Sequence, residues 1–100
     1  MKRGEIWVWS RFGHEHKVLV VGEDGLTAQR LDVLVVPISD VLPPAVMMPH
    51  VVDLSGKSLG VATVARVGPV QKSSLTARAG VVAPEGAEIV DMNLRVALGL

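Results

Sequence analysis

Within Glu5–Ser10, EIWVWS, two kinds of apolar side chain alternate along the chain. Ile6 and Val8 fall on one side and Trp7 and Trp9 on the other, as side chains do along a β-strand. One face of this strand can enter an apolar core while the other stays half-exposed. The alternation therefore predicts a β-strand rather than an amphipathic helix.

Short apolar runs rich in valine recur after this strand with turn residues between them, a pattern typical of all-β barrels and sandwiches. Pro37, close to the end of one run, is expected at an edge or bulge because proline cannot donate a ladder hydrogen bond. Ser55-Gly56-Lys57 predicts the turn of a hairpin between the runs that flank it, and Pro43-Pro44 predicts an extended loop. The further predicted strands are Lys17–Val21, Leu31–Ile38, Val46–Leu54 and Gly60–Val67.

The C-terminal segment carries the clearest helix pattern. Pro84 suits a first helical turn, and Gly99 stands where a helix ends. Upstream, Ser73 or Ser74 is expected to cap a short helical turn that closes at Gly80. The stripe predicted to be buried on the C-terminal helix consists of Ile89, Met92 and Val96, widened by Leu94 and Leu98.

Length and composition narrow the class of protein. The chain has 100 residues, enough for one core, so we expect a single domain over residues 1–100. It has no cysteine, which excludes disulfides, thiolate zinc sites and a cysteine nucleophile. No apolar run approaches the roughly 20 residues that cross a bilayer, and the start, MKRGEIWVW, has no signal-peptide pattern. We therefore expect a cytoplasmic protein that does not enter the membrane.

Charge leaves two interpretations open. Ten basic residues balance ten acidic ones, which argues against a strongly basic nucleic-acid binder. Between residues 54 and 84, however, every charged side chain is basic. These cations are either solvated surface groups or part of a patch that faces phosphates.

The order of these segments resembles the MazF/PemK toxin family over essentially the whole chain. Lys2–Val8 resembles the first strand of that family, Val18–Val21 its second, and Val35–Ser39 its third, which typically ends Pro-Ile-Thr or Ala-Ile-Thr. Leu75–Gly80 and then Pro84–Leu100 follow the order of its short helix, its glycine and its terminal helix. The resemblance implies a small SH3-like barrel of the MazF/PemK/CcdB type, mainly β with a C-terminal helix.

The resemblance also implies a function, which is that of the toxin in a type II toxin–antitoxin pair. Such a toxin is a homodimeric endoribonuclease, or mRNA interferase, that cuts single-stranded RNA at selected sequences without a metal ion or other cofactor, and an antitoxin protein inhibits it. Two motif positions depart from the family: its Arg-Pro is His16-Lys17 here, and its Asp-Gln is Ala65-Arg66, while its threonine becomes Ser39. The alternative is a non-catalytic CcdB-like or SH3-like barrel that binds a protein partner such as gyrase.

The candidate catalytic residues follow from what metal-free RNA cleavage needs, which is a base, an acid and cations or donors on the phosphorane. His16 takes the place of the family's catalytic arginine and is the candidate base or acid, because histidine suits either role. Arg11 or Lys17 would supply charge to the phosphate, and Ser39 would donate a hydrogen bond. The alternative is that His14 and His16 are ordinary exposed histidines. The candidate RNA-binding residues are His14, Lys17, Arg66, Gln71 and Lys72.

Two further interpretations concern a metal ion and the stacking of unpaired bases. His14, Glu15 and His16, with His50 as a possible fourth, are suitable ligand types for a metal ion. The sequence gives them no fixed geometry, so no metal is predicted. Stacking of unpaired bases would fall to Trp7, Trp9 or Phe12, since the chain has one phenylalanine and no tyrosine. The alternative is that Trp7 and Trp9 pack in the barrel or form part of a dimer surface.

Overall fold

The computed structural model describes residues 1–39, 50–52 and 54–99, and in them a seven-stranded antiparallel sheet is followed by a helix. The prediction of a mainly β chain with a C-terminal helix is confirmed. The predicted Pro43-Pro44 loop and most of the predicted strand Val46–Leu54 lie outside the described residues. The strands are β1 (Glu5–Arg11), β2 (His14–Val20), β3 (Asp32–Ser39), β4 (His50–Val52), β5 (Ser58–Ala62), β6 (Gly68–Gln71) and β7 (Leu75–Val81), and the helices are α1 (Asp24–Gln29) and α2 (Pro84–Leu98).

β1 and β2 form a hairpin that stays paired up to its tip, where Arg11 lies opposite His14. Only Phe12 and Gly13 connect the strands, and both have positive φ, 50° and 76°. This backbone is that of a tight two-residue turn whose twist matches the flanking strands. The segment from His14 to Lys17 is therefore strand, so β2 begins three residues before the predicted start at Lys17. Its polar side chains gave no apolar alternation from which a strand could be predicted.

β3 lies in the middle of the sheet, with β2 on one side and β6 followed by β5 on the other. Pro37 is in this central strand, so the prediction of an edge position was wrong. It stands between Val35, which pairs with β6, and Ile38, which pairs with β5. The partner strand changes at this point, so the missing N–H of proline interrupts neither ladder. The Pro37 carbonyl accepts a hydrogen bond from the Thr63 N–H at 2.8 Å.

β7 pairs antiparallel with the free side of β1, and Leu75 lies opposite Trp9. The predicted helical turn that closes at Gly80 was wrong, because only Lys72–Ser74 forms a turn of 3₁₀ helix there. A short isolated helical turn is unfavourable by itself. Pairing with β1 satisfies the backbone groups of both strands, so this long-range contact overrides the local capping signal.

The hairpin predicted around Ser55-Gly56-Lys57 is confirmed, since β4 pairs with β5. β5 is shorter than the predicted run Gly60–Val67 and is followed by the 3₁₀ turn Val64–Arg66. Gly60 has a φ of 119°, and a Cβ atom at this position would lie 2.7 Å from the backbone oxygen of Ser39. Glycine is therefore required where β5 crosses closest to β3.

Apolar side chains pack on both faces of the sheet. The face beneath α2 is closed by Val90 and Leu94 of that helix. Trp7 and Trp9 pack against the cluster on the opposite face. The buried residues are Ile6, Leu19, Val21, Val36, Ala62, Val64 and Val82 beneath α2, and Val18, Val20, Val33, Val35 and Leu75 on the opposite face.

α2 begins at Pro84 and ends before Gly99, which has a φ of 72°, so both predicted ends are confirmed. The predicted buried stripe was wrong, with the exception of Leu94. The buried residues of α2 are instead Val90 and Leu94, which are four residues apart and face the sheet. None of the helices in the described part of the chain has the length and apolarity needed to cross a membrane. The exposed fractions are 47% for Ile89, 65% for Met92, 83% for Val96 and 55% for Leu98.

Candidate functional site

A groove of about 360 Å³ lies beside the β1–β2 hairpin on the sheet face opposite α2. Trp9, Arg11 and His16 form the hairpin side of this groove, and Pro37 contributes from β3. Arg66, at the end of the 3₁₀ turn after β5, lines it as well. Three of the predicted site residues, Arg11, His16 and the sequence-distant Arg66, thus share one concave surface.

Strand register explains why the hairpin residues converge. Trp9 lies directly opposite His16, and their ring centroids are 6.1 Å apart. Arg11 is two residues beyond Trp9, so both side chains are on the same face of β1. The guanidinium carbon of Arg11 lies 5.4 Å from the centroid of the Trp9 ring, within the range of a cation–π contact. The hairpin therefore presents an imidazole, an indole and a guanidinium side by side.

The two arginines of the groove differ from three of the four other arginines of the chain in having no ion-pair partner in the described residues. Neither Arg11 nor Arg66 has a carboxylate within ion-pair distance among residues 1–39, 50–52 and 54–99. Their positive charge is thus available to an incoming anion, and a concave surface concentrates such a field. The arginines that do form ion pairs are Arg3 with Asp91, Arg30 with Asp32, and Arg78 with Glu5.

His14, Lys17 and Ser39 lie close to the groove without lining it. His14 is exposed at the tip of the hairpin, two residues from His16 on the same face. Lys17 borders an adjoining depression of about 180 Å³, which shares His16 and Ile38 with the groove. Ser39 pairs with β5 and is two residues beyond Pro37, so its side chain falls on the same face of β3 as Pro37, although Ser39 is not among the residues that line the groove.

Gln71 and Lys72 do not line the groove. Gln71 is at the end of β6, opposite Asp32 at the start of β3. The ammonium group of Lys72 donates a hydrogen bond to the Thr27 carbonyl of α1. The basic residues between positions 54 and 84 are consequently dispersed, and only Arg66 among them faces the groove. The sequence predicted their chemistry but could not place them on the sheet.

The metal interpretation finds no converging ligands here. His14 and His16 share one face of β2, but Glu15, between them, is on the other face. Within the described part of the chain, no three histidine, aspartate or glutamate side chains are close enough to hold a metal ion. The side chain of His50 is outside that part.

Glu5, a residue that the sequence analysis did not assign to the site, fixes the start of the strand that carries Trp9 and Arg11. Its side chain is only 13% exposed. Burial opposes ionisation of this carboxylate, but three hydrogen bonds favour it, and they lower the pKa of Glu5 below its ordinary value of 4.5. The donors are the Lys2 N–H at 2.6 Å, the Arg78 guanidinium at 3.0 Å and the Trp7 indole N–H at 3.3 Å.

Replacing Glu5 with glutamine should lower the free energy of unfolding by about 1–2 kcal/mol near neutral pH, because hydrogen bonds to a charged acceptor are lost. The folded-state pKa is below the unfolded value, so this stabilisation is present above about 4.5 and is lost as the pH falls through the folded value. Urea unfolding at about pH 7 and about pH 3 should show the difference shrinking. Glu15→Gln, at an exposed position of β2, is the control; a pH-independent difference would contradict the prediction.

No protein-family model and no curated protein matches the chain. Solved structures, however, share its fold. An endoribonuclease in complex with its cognate antitoxin from a mycobacterial species has a TM-score of 0.83 at 21% identity, over 100% of this chain and 96% of that one. A MazE–MazF structure from Deinococcus radiodurans gives 0.79 at 16% identity, over 100% and 96%. Mycobacterium tuberculosis toxin MazF-mt6 gives 0.76 at 15% identity, over 96% and 97%. The chain therefore has the fold of the MazF toxins.

Proposed function

We propose that the chain is the toxin of a type II toxin–antitoxin pair, an endoribonuclease that cuts single-stranded cytoplasmic RNA without a metal ion. The observation that carries this proposal is the groove in which His16 lies beside Arg11 and Arg66. The fold likeness supports it, because the neighbours include proteins named as endoribonucleases and MazF toxins. The gyrase-binding alternative has no comparable support.

The reaction requires two proton transfers and one exchange of bonds at phosphorus. A base removes the 2′-hydroxyl proton, the 2′-oxygen bonds to phosphorus, and the bond to the 5′-oxygen breaks as an acid protonates that oxygen. The products are a 2′,3′-cyclic phosphate and a 5′-hydroxyl end. His16 performs one transfer, because imidazole can accept or donate a proton near neutral pH. Solvent performs the other transfer.

The cations of the groove stabilise the charge that develops on the phosphorane oxygens. Arg11 and Arg66 suit this role because the guanidinium presents several donors in one plane and stays charged. Lys17 in the adjoining depression would contact a neighbouring phosphate. Ser39 is the remaining candidate donor, reached by a substrate that extends past Ile38. Gln71 and Lys72 would contact RNA only well beyond the groove.

The same proposal includes the partners that the resemblance implies. We propose a homodimer that is inhibited by a short antitoxin, in keeping with the antitoxin complexes among the structures of the same fold. An antitoxin segment with carboxylates would match the charge of Arg11 and Arg66. Incubation with single-stranded RNA, with and without a chelator, tests the activity directly, and addition of the antitoxin should stop it.

Replacing Arg66 with glutamine should weaken binding of single-stranded RNA several-fold and reduce the slope of log Kd against log salt by about 0.7, the amount for one phosphate contact on a single strand. Kd would be measured by fluorescence anisotropy over a range of salt concentrations. Arg95→Gln removes an exposed charge from α2 and should leave the slope unchanged. An identical slope for the Arg66 variant would remove this residue from the interface.

A further inference from the structure

We propose that Phe12 is a stacking surface for an unpaired base of the substrate, which makes the tip of the β1–β2 hairpin a binding site for the nucleotide next to the one that is cut. This inference rests on the proposed function and adds to it a residue without a proton-transfer or phosphate-binding role. Three observations support it: the exposure of the ring, the backbone that holds it, and the row of side chains that joins it to the groove.

Phe12 is 88% exposed and lies in the two-residue turn at the tip of the β1–β2 hairpin. Its φ of 50° is in the left-handed region, which a bulky side chain rarely adopts and which glycine or asparagine enters more easily. Phe12 thus adopts a backbone conformation that is unfavourable for phenylalanine, and it buries little apolar area to offset this cost. Strain of this kind is typical of positions kept for binding rather than for folding.

Phe12 is also the last member of a row that begins at His16. Trp9 lies against His16, and the guanidinium of Arg11 lies over both aromatic rings, 5.4 Å from the centroid of Trp9 and 5.2 Å from that of Phe12. Arg11 therefore contacts one face of the Phe12 ring, and the exposure of the ring leaves the other face to solvent. The position of Arg11 orients Phe12 and places a cation on one side of the ring, opposite the face on which a ligand would stack.

An unpaired nucleobase is the ligand that fits this surface best. Every base has a flat π face and stacks on aromatic side chains without requiring a particular sequence. A strand that follows the row from His16 to Phe12 would place its reacting phosphate by the imidazole and the two arginines, and an adjacent base on the open face of the ring. The hairpin has only two connecting residues, so this surface is held in place by paired strands.

The test uses a single-stranded oligonucleotide with 2′-O-methyl sugars, which offers bases and phosphates but has no 2′-hydroxyl to be attacked. Phe12→Asn should weaken its binding roughly fivefold to a hundredfold, the usual effect of removing one stacking side chain. Asparagine accepts the left-handed backbone, so the hairpin should remain folded and the thermal midpoint should not fall. Phe12→Trp should bind at least as tightly as the wild type. Leu31→Asn is the matched control, because Leu31 is 91% exposed at another part of the surface.

An abasic scan locates the base. One abasic position in the oligonucleotide should weaken binding to the wild type and have no further effect on the Phe12→Asn variant. If the wild type binds and the variant binds equally well, the stacking role is refuted while the proposed function stands. If the wild type binds neither this probe nor unmodified RNA, both fail together. Weaker capture of the antitoxin with unchanged RNA binding would assign Phe12 to the protein partner and refute the role in RNA binding.

Discussion

Replacing His16 with alanine should lower the rate of RNA cleavage by about a hundredfold to ten-thousandfold, the usual contribution of a group that transfers a proton in the transition state. The imidazole lies beside Trp9 in the groove that also contains Arg11 and Arg66. Removing it takes away the side chain best suited to proton transfer and leaves the cations in place. The measurement is kcat/KM on a labelled RNA that contains one cut site.

The neighbouring histidine supplies the control for this experiment. His14 is exposed on the same strand but does not line the groove, so His14→Ala should change the rate much less. His16 is an exposed position of β2, and its replacement should leave the thermal midpoint within a few degrees of the wild type. A His16→Ala protein that is folded and cleaves at the wild-type rate would remove this residue from the reaction.

Replacing Gly60 with alanine should lower the free energy of unfolding by about 3 kcal/mol or more, the sum of a strained backbone and a steric clash. The φ of 119° disfavours any residue with a Cβ atom, and that atom would lie 2.7 Å from the Ser39 oxygen. The clash is with backbone and cannot be relieved by a rotamer change. β3 and β5 would have to separate, which would also displace the turn that carries Arg66. Urea unfolding measures the change.

Alanine substitutions at two other glycines distinguish the cost of backbone strain from the cost of the steric clash. Gly56 has a φ of 89° and no atom within 4 Å of a Cβ position, so its replacement by alanine should cost only about 1–2 kcal/mol of backbone strain. Gly80 has no atom within 4 Å and no positive φ, and Gly80→Ala should be close to neutral. A Gly60→Ala protein as stable as the Gly80→Ala protein would show that β3 and β5 do not approach closely at this point.

Much of the fold was predictable from local patterns. The alternation in β1, the apolar run of β3 and the proline and glycine at the ends of α2 each identify an element correctly. What failed depends on contacts between distant residues. β7 follows serines that indicate a cap, and only its pairing with β1 makes it a strand. The short helix α1 has too few residues to show a helical period.

The face of α2 shows a second limit of sequence patterns. This helix carries apolar residues on two faces, and the pattern at Ile89, Met92 and Val96 is as regular as the pattern at Val90 and Leu94. Periodicity identifies an apolar stripe but does not decide which of two stripes meets the sheet. Val90 and Leu94 cover the sheet, and the residues of the other stripe remain exposed.

The candidate site was predictable in part. Residue chemistry and the resemblance selected His16, Arg11 and Arg66, and the structure brings these three into one groove. Pro37, which lines the same groove, was predicted to lie at an edge or bulge of its strand and was not selected as a site residue. Gln71 and Lys72 were selected as polar neighbours of Arg66 in sequence, but β6 carries the chain away from the groove towards α1. The roles of all these residues in RNA cleavage remain predictions.

One assay decides whether this chain cleaves RNA without a metal ion. The purified protein would be incubated with a long single-stranded RNA, with and without EDTA, and the cut ends would be mapped and their chemistry determined. We predict cuts at a short sequence that persist in EDTA and leave 5′-hydroxyl and 2′,3′-cyclic phosphate ends. Intact RNA in the presence of folded protein, or cleavage that EDTA abolishes, would contradict the claim.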